Sequence, residues 1–461
     1  MAQAETDVIL SLYVGESFVE AHLSHNQKSI HFNRWYLGKE GFKSGLQKFF
    51  QEAGVAQVQK AYVASRFVEK IFAYRLGGSV ATLTTKGFEN WPGMRQPTNL
   101  KVGPLSSVDL LFAIDERCSA DGILETELSD AEVTETLEKL RQKQAKRVCI
   151  HFLNASKNPH NQNKMKEALL KENFEVFTPT VTAENADEVS EWRKNILNAS
   201  LSGTFAEVQD ELNEGLKAFL PEGQRASFYA ADGTLFDREN HQRLSSLWGA
   251  FGIWTQALRK KHASEKFDVL YLGLEQFNLL NPLKQNQVWN SPWGVIHAPQ
   301  VQNQVLSLQP TTSIEIDAWG ELAFSKNALG YEPGPMFMGR GQVPTFLDLW
   351  SENTADLKGV ADRRSPQGLQ KFKNQLWALN KTSNQQYDSE AKLLTSLQNL
   401  AMQKLGMEIT LRAENKKIYC LGALAPLFVS ELKKRLPQFQ LELLPETETS
   451  LLLNQGSAHV I

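Results

Sequence analysis

The sequence has few cysteines, little net charge and no long apolar run. Its three cysteines, Cys118, Cys149 and Cys420, lie far apart, which excludes a disulfide framework or a metal-type cysteine pair and predicts buried free thiols. A net charge of −3 gives no field that would recruit nucleic acid or an acidic membrane. The longest nearly apolar run, 419–429, is too short to span a bilayer, and the first residues, MAQAETD, lack the pattern of a secretory signal. We therefore expect a cytoplasmic protein without nucleic-acid or membrane partners.

The remaining composition is that of a folded protein. Hydrophobic residues make up 42% of the chain and charged residues 22%, which is typical of a globular protein and not of a disordered one. A length of 461 residues exceeds one ordinary core, so it predicts two or three compact units.

The most distinctive stretch is the segment 330–348, GYEPGPMFMGRGQVPTFLD. Prolines restrict φ and glycines permit positive φ, so this composition disfavours helix and strand and predicts a tight loop. The loop leads to Thr345 and Asp348. Its pattern, G-x-x-P-G-P-x-x-x-G-R-G-x-x-P-T-x-x-D, resembles the signature segment of the hydantoinase A/oxoprolinase family.

Further short, separate segments, spread along most of the chain, resemble the same family. They are 61–97, 114–122, 189–199 and 418–426. The resemblance implies the α/β class and an actin-like (ribonuclease H-type) ATPase fold, with two lobes of mixed sheets flanked by helices around a central cleft. The expected lobes are 1–200 and 201–461, the second with a variable segment near 352–388 and a closing strand–helix unit at 416–461.

The first hairpin departs from the family pattern. The residues around Gly15 read as two β-rich runs joined by a turn. The family has the pattern D-x-G-G-T-F-T-D here. The resemblance implies that the backbone amides of the glycines contact the ATP phosphates and that the acidic residues bind the metal. In this sequence Ser11 stands for the first aspartate and Tyr13 falls near the glycines, so Gly15 and Ser17 remain as candidate phosphate contacts.

The second hairpin departs further. The family pattern D-M-G-G-T-S-T-D would place an aspartate at Tyr271 and a threonine at Glu275, while Gly273 is kept and Asn278 stands for the last aspartate. If Glu275 faced a phosphate from ~4 Å, repulsion would cost on the order of 4 kcal/mol at an effective dielectric near 20, roughly a thousandfold in binding. The residues alone leave open whether this side chain points towards the phosphates or away.

The other candidate nucleotide contacts follow from the resemblance. The segment 309–313, QPTTS, stands in place of a G-A-G-G-G-S loop, and the segment around Gly422 resembles a G-G-A-G-P turn. The full set of candidate cofactor-binding residues is Gly15, Ser17, Gly273, Asn278, Thr312, Ser313 and Gly422.

Three further positions have alternative interpretations. Asp348 matches a family acid and is the candidate catalytic residue, with a metal or base role, or it caps a following helix. Thr84 serves a substrate or is a backbone hydrogen-bond partner at a strand end. His151 and His160 invite a metal site, but the resemblance assigns this place to a strand exit and a helix start, so we expect no metal there.

The expected function is that of a family descendant with weakened nucleotide chemistry. The first hypothesis is a pseudoenzyme that works as a binding or scaffold protein. The alternative is an ATP-dependent cyclic-amide hydrolase subunit of the hydantoin or 5-oxoproline type, acting with a hydantoinase B-type partner, in which case ATP and Mg are the cofactors. A sugar-kinase-like enzyme is a third reading, disfavoured because no glycine-rich phosphate loop is intact. A homo-oligomer is the other expected assembly.

Overall fold

The computed structural model describes residues 8–65, 78–91, 107–179, 187–229, 233, 235–236, 249–291, 294–328 and 334–455. In these ranges the chain is a mixed α/β protein with three larger sheets. No helix in the same ranges is both long enough and apolar enough to cross a membrane.

The strands are β1 (Val8–Val14), β2 (Phe18–His25), β3 (Lys28–Tyr36), β4 (Lys60–Ser65), β5 (Ala81–Thr85), β6 (Leu111–Ile114), β7 (Arg117–Cys118), β8 (Leu124–Thr126), β9 (Arg147–His151), β10 (Glu175–Phe177), β11 (Ser227–Tyr229), β12 (Leu235–Phe236), β13 (Phe267–Leu272), β14 (Phe277–Ser291), β15 (Gly294–Val305), β16 (Thr312–Ile316), β17 (Leu322–Ala328), β18 (Lys417–Leu421) and β19 (Gln440–Leu443). The helices are α1 (Leu37–Glu40), α2 (Phe42–Ala53), α3 (Asp130–Gln142), α4 (His160–Lys171), α5 (Glu188–Leu216), α6 (Gly249–Lys261), α7 (Pro366–Thr382), α8 (Glu390–Arg412), α9 (Ala425–Arg435) and α10 (Glu446–Gln455). Short 3₁₀ helices cover Val108–Leu110, Met336–Met338, Leu347–Trp350 and Ala361–Arg363.

The first sheet has the strand order β12-β11-β4-β1-β2-β3. β1 and β2 form an antiparallel hairpin that closes at the pair Val14 and Val19, so the predicted hairpin around Gly15 is confirmed. β4 runs parallel to β1, and β11 runs parallel to β4. All residues of β1 except Ile9 are buried, as its place between β2 and β4 requires.

The second sheet has the order β15-β14-β13-β18-β19. β13 and β14 form an antiparallel hairpin around Gly273, while β18 and β19 are parallel to β13. Counted in chain order within each sheet, the first five strands of both sheets therefore lie in the order third, second, first, fourth, fifth, and the first sheet carries β12 as a sixth strand at its edge. The same unit occurs twice, as the expected architecture of two mixed sheets demands.

A third sheet, β10-β9-β5-β6, is wholly parallel. Leu83 and Ile150 point to one face, where they pack in a core with residues of α3 and α4. Cys149 lies on the other face, in a cluster with Ile196 and Ala199 of α5. Both faces of this sheet are thus covered by helices, which is the arrangement that parallel sheets need.

The two five-strand units share one hydrophobic core. Tyr13 of β1, Tyr271 of β13, Tyr419 of β18 and Leu453 of α10 belong to a single buried cluster that also contains Trp254 of α6. Because this core includes residues of both units, the two sheets are held together by packing as well as by the chain.

The predicted division of the chain at 200/201 falls within a helix. α5 runs without interruption from Glu188 to Leu216, and β11 after it pairs with β4 of the first sheet through Phe228 and Val63. Residues on both sides of position 200 therefore contribute to the first sheet. The segment 352–388, predicted to be variable, contains α7, and 416–461 contains β18, α9, β19 and α10.

Candidate functional site

The turn between β1 and β2 presents three backbone N–H groups to one carboxylate. Gly15 closes the turn by donating its N–H to the Phe18 carbonyl at 2.9 Å. The next three N–H groups donate to Glu275: Glu16 to Oε2 at 2.9 Å, Ser17 to Oε1 at 2.6 Å and Phe18 to Oε1 at 2.9 Å. Successive N–H groups that converge in this way form a nest for an anion, and here the anion belongs to the chain itself.

Glu275 reaches this nest from the second unit. It lies in the tight turn between β13 and β14, which Gly273 closes by donating its N–H to the Gln276 carbonyl at 3.1 Å. The question that the sequence left open is therefore answered, because Glu275 points towards the first hairpin. A ligand phosphate at the same amides would meet the carboxylate directly.

Aromatic side chains fill the space beside this contact. Tyr13 and Tyr271, at positions where the family resemblance places a glycine and an aspartate, pack on Trp254 of α6 with ring centroids 5.3 Å and 5.2 Å away. Phe251 contacts Tyr271 at 5.3 Å. All four rings are at most 6% exposed. The residues present therefore do not fit a magnesium triphosphate. An aromatic ring occupies the position where a metal-binding aspartate is expected, and a carboxylate occupies the amide nest.

Gly422 and Gly273 allow two backbone segments to pack closely against each other. Gly422 has φ +104°, and a Cβ at this position would lie 2.6 Å from the Leu272 carbonyl oxygen. Leu424 donates its N–H to the same oxygen at 2.8 Å. The turn after β18 thus lies directly on the end of β13, and this close approach requires glycine.

The remaining candidate cofactor contacts are used within the protein. Asn278 is buried and donates to Asn303 Oδ1 at 2.7 Å. Thr312 accepts from the Gln309 N–H at 2.8 Å, and Ser313 forms a bridge with Thr345. Of the seven candidates, Gly15 and Ser17 thus lie against the turn that Gly273 closes, and Gly422 packs against the backbone of Leu272 and Gly273.

Gln309 was missed by sequence reasoning. Its Oε1 accepts from the Phe277 N–H at 2.8 Å and its Nε2 donates to the Phe277 carbonyl at 3.1 Å, which ties the loop to the start of β14. A glutamine in a loop gives no pattern from which this role could be predicted.

Asp348 holds the glycine- and proline-rich loop. It is fully buried, and its carboxylate accepts from the Phe337 N–H at 2.9 Å and from both the N–H and the hydroxyl of Thr345 at 2.8 Å. Burial raises the pKa of Asp348 to about 6, although these hydrogen bonds oppose the shift. The cap interpretation is wrong in its geometry, because Asp348 lies inside the 3₁₀ helix Leu347–Trp350 and joins two parts of the loop. A catalytic or metal role has no support from the contacts of this side chain.

A buried ion-pair network lies next to the nest and was not predicted. Arg34 donates to Glu20 at 2.8 Å across the β2–β3 pair and to Glu446 of α10. Burial raises the pKa of Glu20, Arg34 opposes this, and the nearby Glu446 and Glu275 add to it. Arg34 thus pairs with Glu20 and Glu446, and the acid of the nest lies close enough to Glu20 to affect its pKa.

The histidines do not form a metal site in the described part of the chain. His151 is buried against Asn195 at 3.0 Å, whereas His160 is exposed and lies 3.2 Å from Glu127. No group of three or more His, Cys, Asp or Glu side chains that could hold a metal ion occurs among the residues described.

Comparison with known proteins places this geometry in a family context. Residues 39–173 match the profile described as the hydantoinase/oxoprolinase N-terminal region. No curated protein matches the chain. The chain is similar to a nucleotide-free structure of acetone carboxylase, with 14% identity and a TM-score of 0.73 over 98% of this chain and 70% of that one. It is also similar to the ATP-dependent caprolactamase of Pseudomonas jessenii, with 15% identity and a TM-score of 0.73 over 97% and 70%. The predicted fold class is thereby confirmed.

Proposed function

Since this chain is a member of the hydantoinase/oxoprolinase family, we propose that it is a descendant that no longer turns over nucleotide and works as a binding or scaffold protein. The observation that carries the proposal is the contact of Glu275 with the N–H groups of residues 16–18. These amides are the groups that a phosphate would need, and an internal carboxylate already uses all three.

Hydrogen bonds to a charged group are worth about 1.5–3 kcal/mol each, so an incoming phosphate must displace an acceptor that is already well satisfied. If the carboxylate stayed within ~4 Å, repulsion would add on the order of 4 kcal/mol. Either route weakens nucleotide binding by roughly a thousandfold or more.

The alternative function is an ATP-dependent cyclic-amide hydrolase subunit that acts with a hydantoinase B-type partner. Its support is the fold shared with acetone carboxylase and with the ATP-dependent caprolactamase, both of which are named for ATP-dependent reactions. The same fold is equally compatible with a scaffold protein, because function depends on the residues of the site and not on the fold that carries them.

Calorimetric titration with magnesium and a non-hydrolysable ATP analogue tests the two functions. We expect no saturable binding and no rise in melting temperature, because stabilisation requires a ligand concentration above its Kd. Saturable binding by the unaltered protein would refute the proposal and favour the hydrolase.

Variants show whether the Glu275 carboxylate is what excludes the anion. Glu275→Ala frees the nest, so this variant should gain measurable affinity for pyrophosphate. Glu408→Ala is the matched control, since Glu408 also accepts backbone N–H groups, those of Ser307 and Leu308, but from another part of the fold. Equal pyrophosphate affinity in the two variants would show that Glu275 does not block the nest.

A further inference from the structure

Two arginines lie over one tyrosine where the end of β3 meets the glycine- and proline-rich loop. The guanidinium carbon of Arg363 lies 4.3 Å from the ring centroid of Tyr36, and that of Arg340 lies 5.5 Å from it. Arg340 also donates to the Tyr36 hydroxyl at 3.1 Å. A guanidinium within about 6 Å of an aromatic ring is attracted to its face. Tyr36, which is 4% exposed, therefore holds two positive charges near the surface.

Two lysines add to this group of charges. Lys39 of α1 donates to the Asp362 carbonyl at 3.4 Å, and Lys371 of α7 donates to the Gly341 carbonyl at 3.4 Å. These carbonyls belong to the residues next to the two arginines, so the four cations lie in one region of the surface. Both lysines are exposed. We call this set the cationic patch: Lys39, Arg340, Arg363 and Lys371.

The described part of the chain provides no carboxylate for three of these cations. Lys39 and Lys371 donate to neutral oxygens only. Within the same residues, Arg363 forms no ion pair, and its Nε is buried without a hydrogen-bond partner. Arg364, the next residue, pairs with Glu352 at 3.0 Å. Since an unpaired buried donor is rare and unfavourable, Arg363 is the member of the patch that most clearly lacks an acceptor.

The backbone holds both arginines in place. Gly341, the residue after Arg340, lies so close to the rest of the loop that a Cβ would be 2.5 Å from the Gly334 carbonyl oxygen. Ser365, two residues after the other arginine, donates its N–H to the Phe337 carbonyl of the same loop at 2.8 Å. The two segments are thus joined, and a partner meets charges that are already in position. Such preorganisation lowers the entropic cost of binding.

The charge and the extent of the patch indicate the class of partner. Its four cations outweigh the exposed Asp362 carboxylate, in a protein whose net charge is −3. Carboxylates match the planar fork of a guanidinium. Exposed charges act over about 10 Å at 0.1 M salt, so a short acidic segment meets only the patch. A nucleic acid extends beyond this distance and would also meet the acidic remainder of the protein.

We propose that the cationic patch docks an acidic segment of a partner protein. Clustered Asp or Glu carboxylates of that segment accept hydrogen bonds from Arg340 and Arg363, and Lys39 and Lys371 flank them. The patch shares no residue with the amide nest, so the inference is independent of whether the protein binds a nucleotide.

The probe is a fluorescein-labelled hexaglutamate peptide, with hexalysine as its charge-reversed counterpart. By fluorescence anisotropy at low salt, we expect saturable binding of hexaglutamate and none of hexalysine. Arg363→Gln should weaken hexaglutamate binding about fivefold, the value of one exposed ion pair. Arg259→Gln, which removes an exposed arginine of α6, is the matched control and should bind like the unaltered protein. Equal weakening in both variants, or tighter binding of an oligothymidylate of the same length, would overturn the proposal.

Melting temperatures separate docking from a role in the fold. Arg363→Gln loses a contact with the Tyr36 ring and no ion pair of the described chain, so its melting temperature should stay close to that of the unaltered protein. Arg34→Gln removes the partner of Glu20 and Glu446 and should melt lower. A decrease for Arg363→Gln as large as that for Arg34→Gln would show that Arg363 serves the fold. That result, or a hexaglutamate peptide that does not bind, would contradict the proposal.

Discussion

Removing the Glu275 carboxylate should loosen the contact between the two hairpins. In Glu275→Ala the N–H groups of Glu16, Ser17 and Phe18 lose their acceptor. A hydrogen bond to a charged acceptor is worth about 1.5–3 kcal/mol, but water can reach this partly buried turn and replaces part of it. We therefore expect a loss of about 3 kcal/mol in the free energy of unfolding, about 1 kcal/mol for each bond.

Urea unfolding measures the total loss, and amide hydrogen exchange locates it. Exchange of the N–H groups at 16–18 should accelerate in Glu275→Ala while amides in the centre of β13 keep their protection. Gln276→Ala is the control, because it shortens a neighbouring side chain of the same turn. If Glu275→Ala stayed within about 0.5 kcal/mol of the unaltered protein and the three amides exchanged at their old rates, the nest would be wrongly assigned.

Three further predictions concern the supporting structure. The pKa of Asp348 is about 6 in the folded chain, against an ordinary value of 3.8, so the folded state binds the proton more tightly than the unfolded state. The free energy of unfolding should therefore fall by about 3 kcal/mol as the pH rises from about 4 to above 6. Asp348→Asn should lack this pH dependence in urea titrations at several pH values. Arg34→Met leaves Glu20 buried without a partner and should cost about 3–5 kcal/mol, which circular dichroism melts would detect; stability equal to that of the parent would contradict the network. Gly422→Ala combines φ +104° with a Cβ 2.6 Å from the Leu272 oxygen and should cost more than about 2 kcal/mol in urea, whereas Gly54→Ala, with φ +65° but nothing within 4 Å, should cost less.

A local pattern was sufficient for the first hairpin. The β-rich runs around Gly15 predicted one β-turn-β unit, the family resemblance predicted a second around Gly273, and both are present. The fold class followed from the family resemblance, because composition and periodicity do not define strand order.

Contacts between residues that are distant in the sequence could not be predicted from local patterns. The pairing of Phe228 with Val63 joins strands more than 160 positions apart, so a boundary placed at 200 separated two strands of one sheet. The direction of the Glu275 side chain depends on a turn 257 or more positions earlier, and no local rule decides it. Asp348 shows the same limit, since its partners define its role and its sequence neighbours do not.

The late arrival of β11 also bears on synthesis at the ribosome. β4 lies between β1 and β11, so in a nascent chain that has emerged only to residue 200 β4 is an unpaired edge strand, although it is interior in the finished sheet. The backbone groups at Tyr62 and Val63 have no strand partner until Ser227 and Phe228 are synthesised. Such an edge is a template for pairing with another chain, and a translational pause near residue 200 would favour aggregation of the unfinished polypeptide.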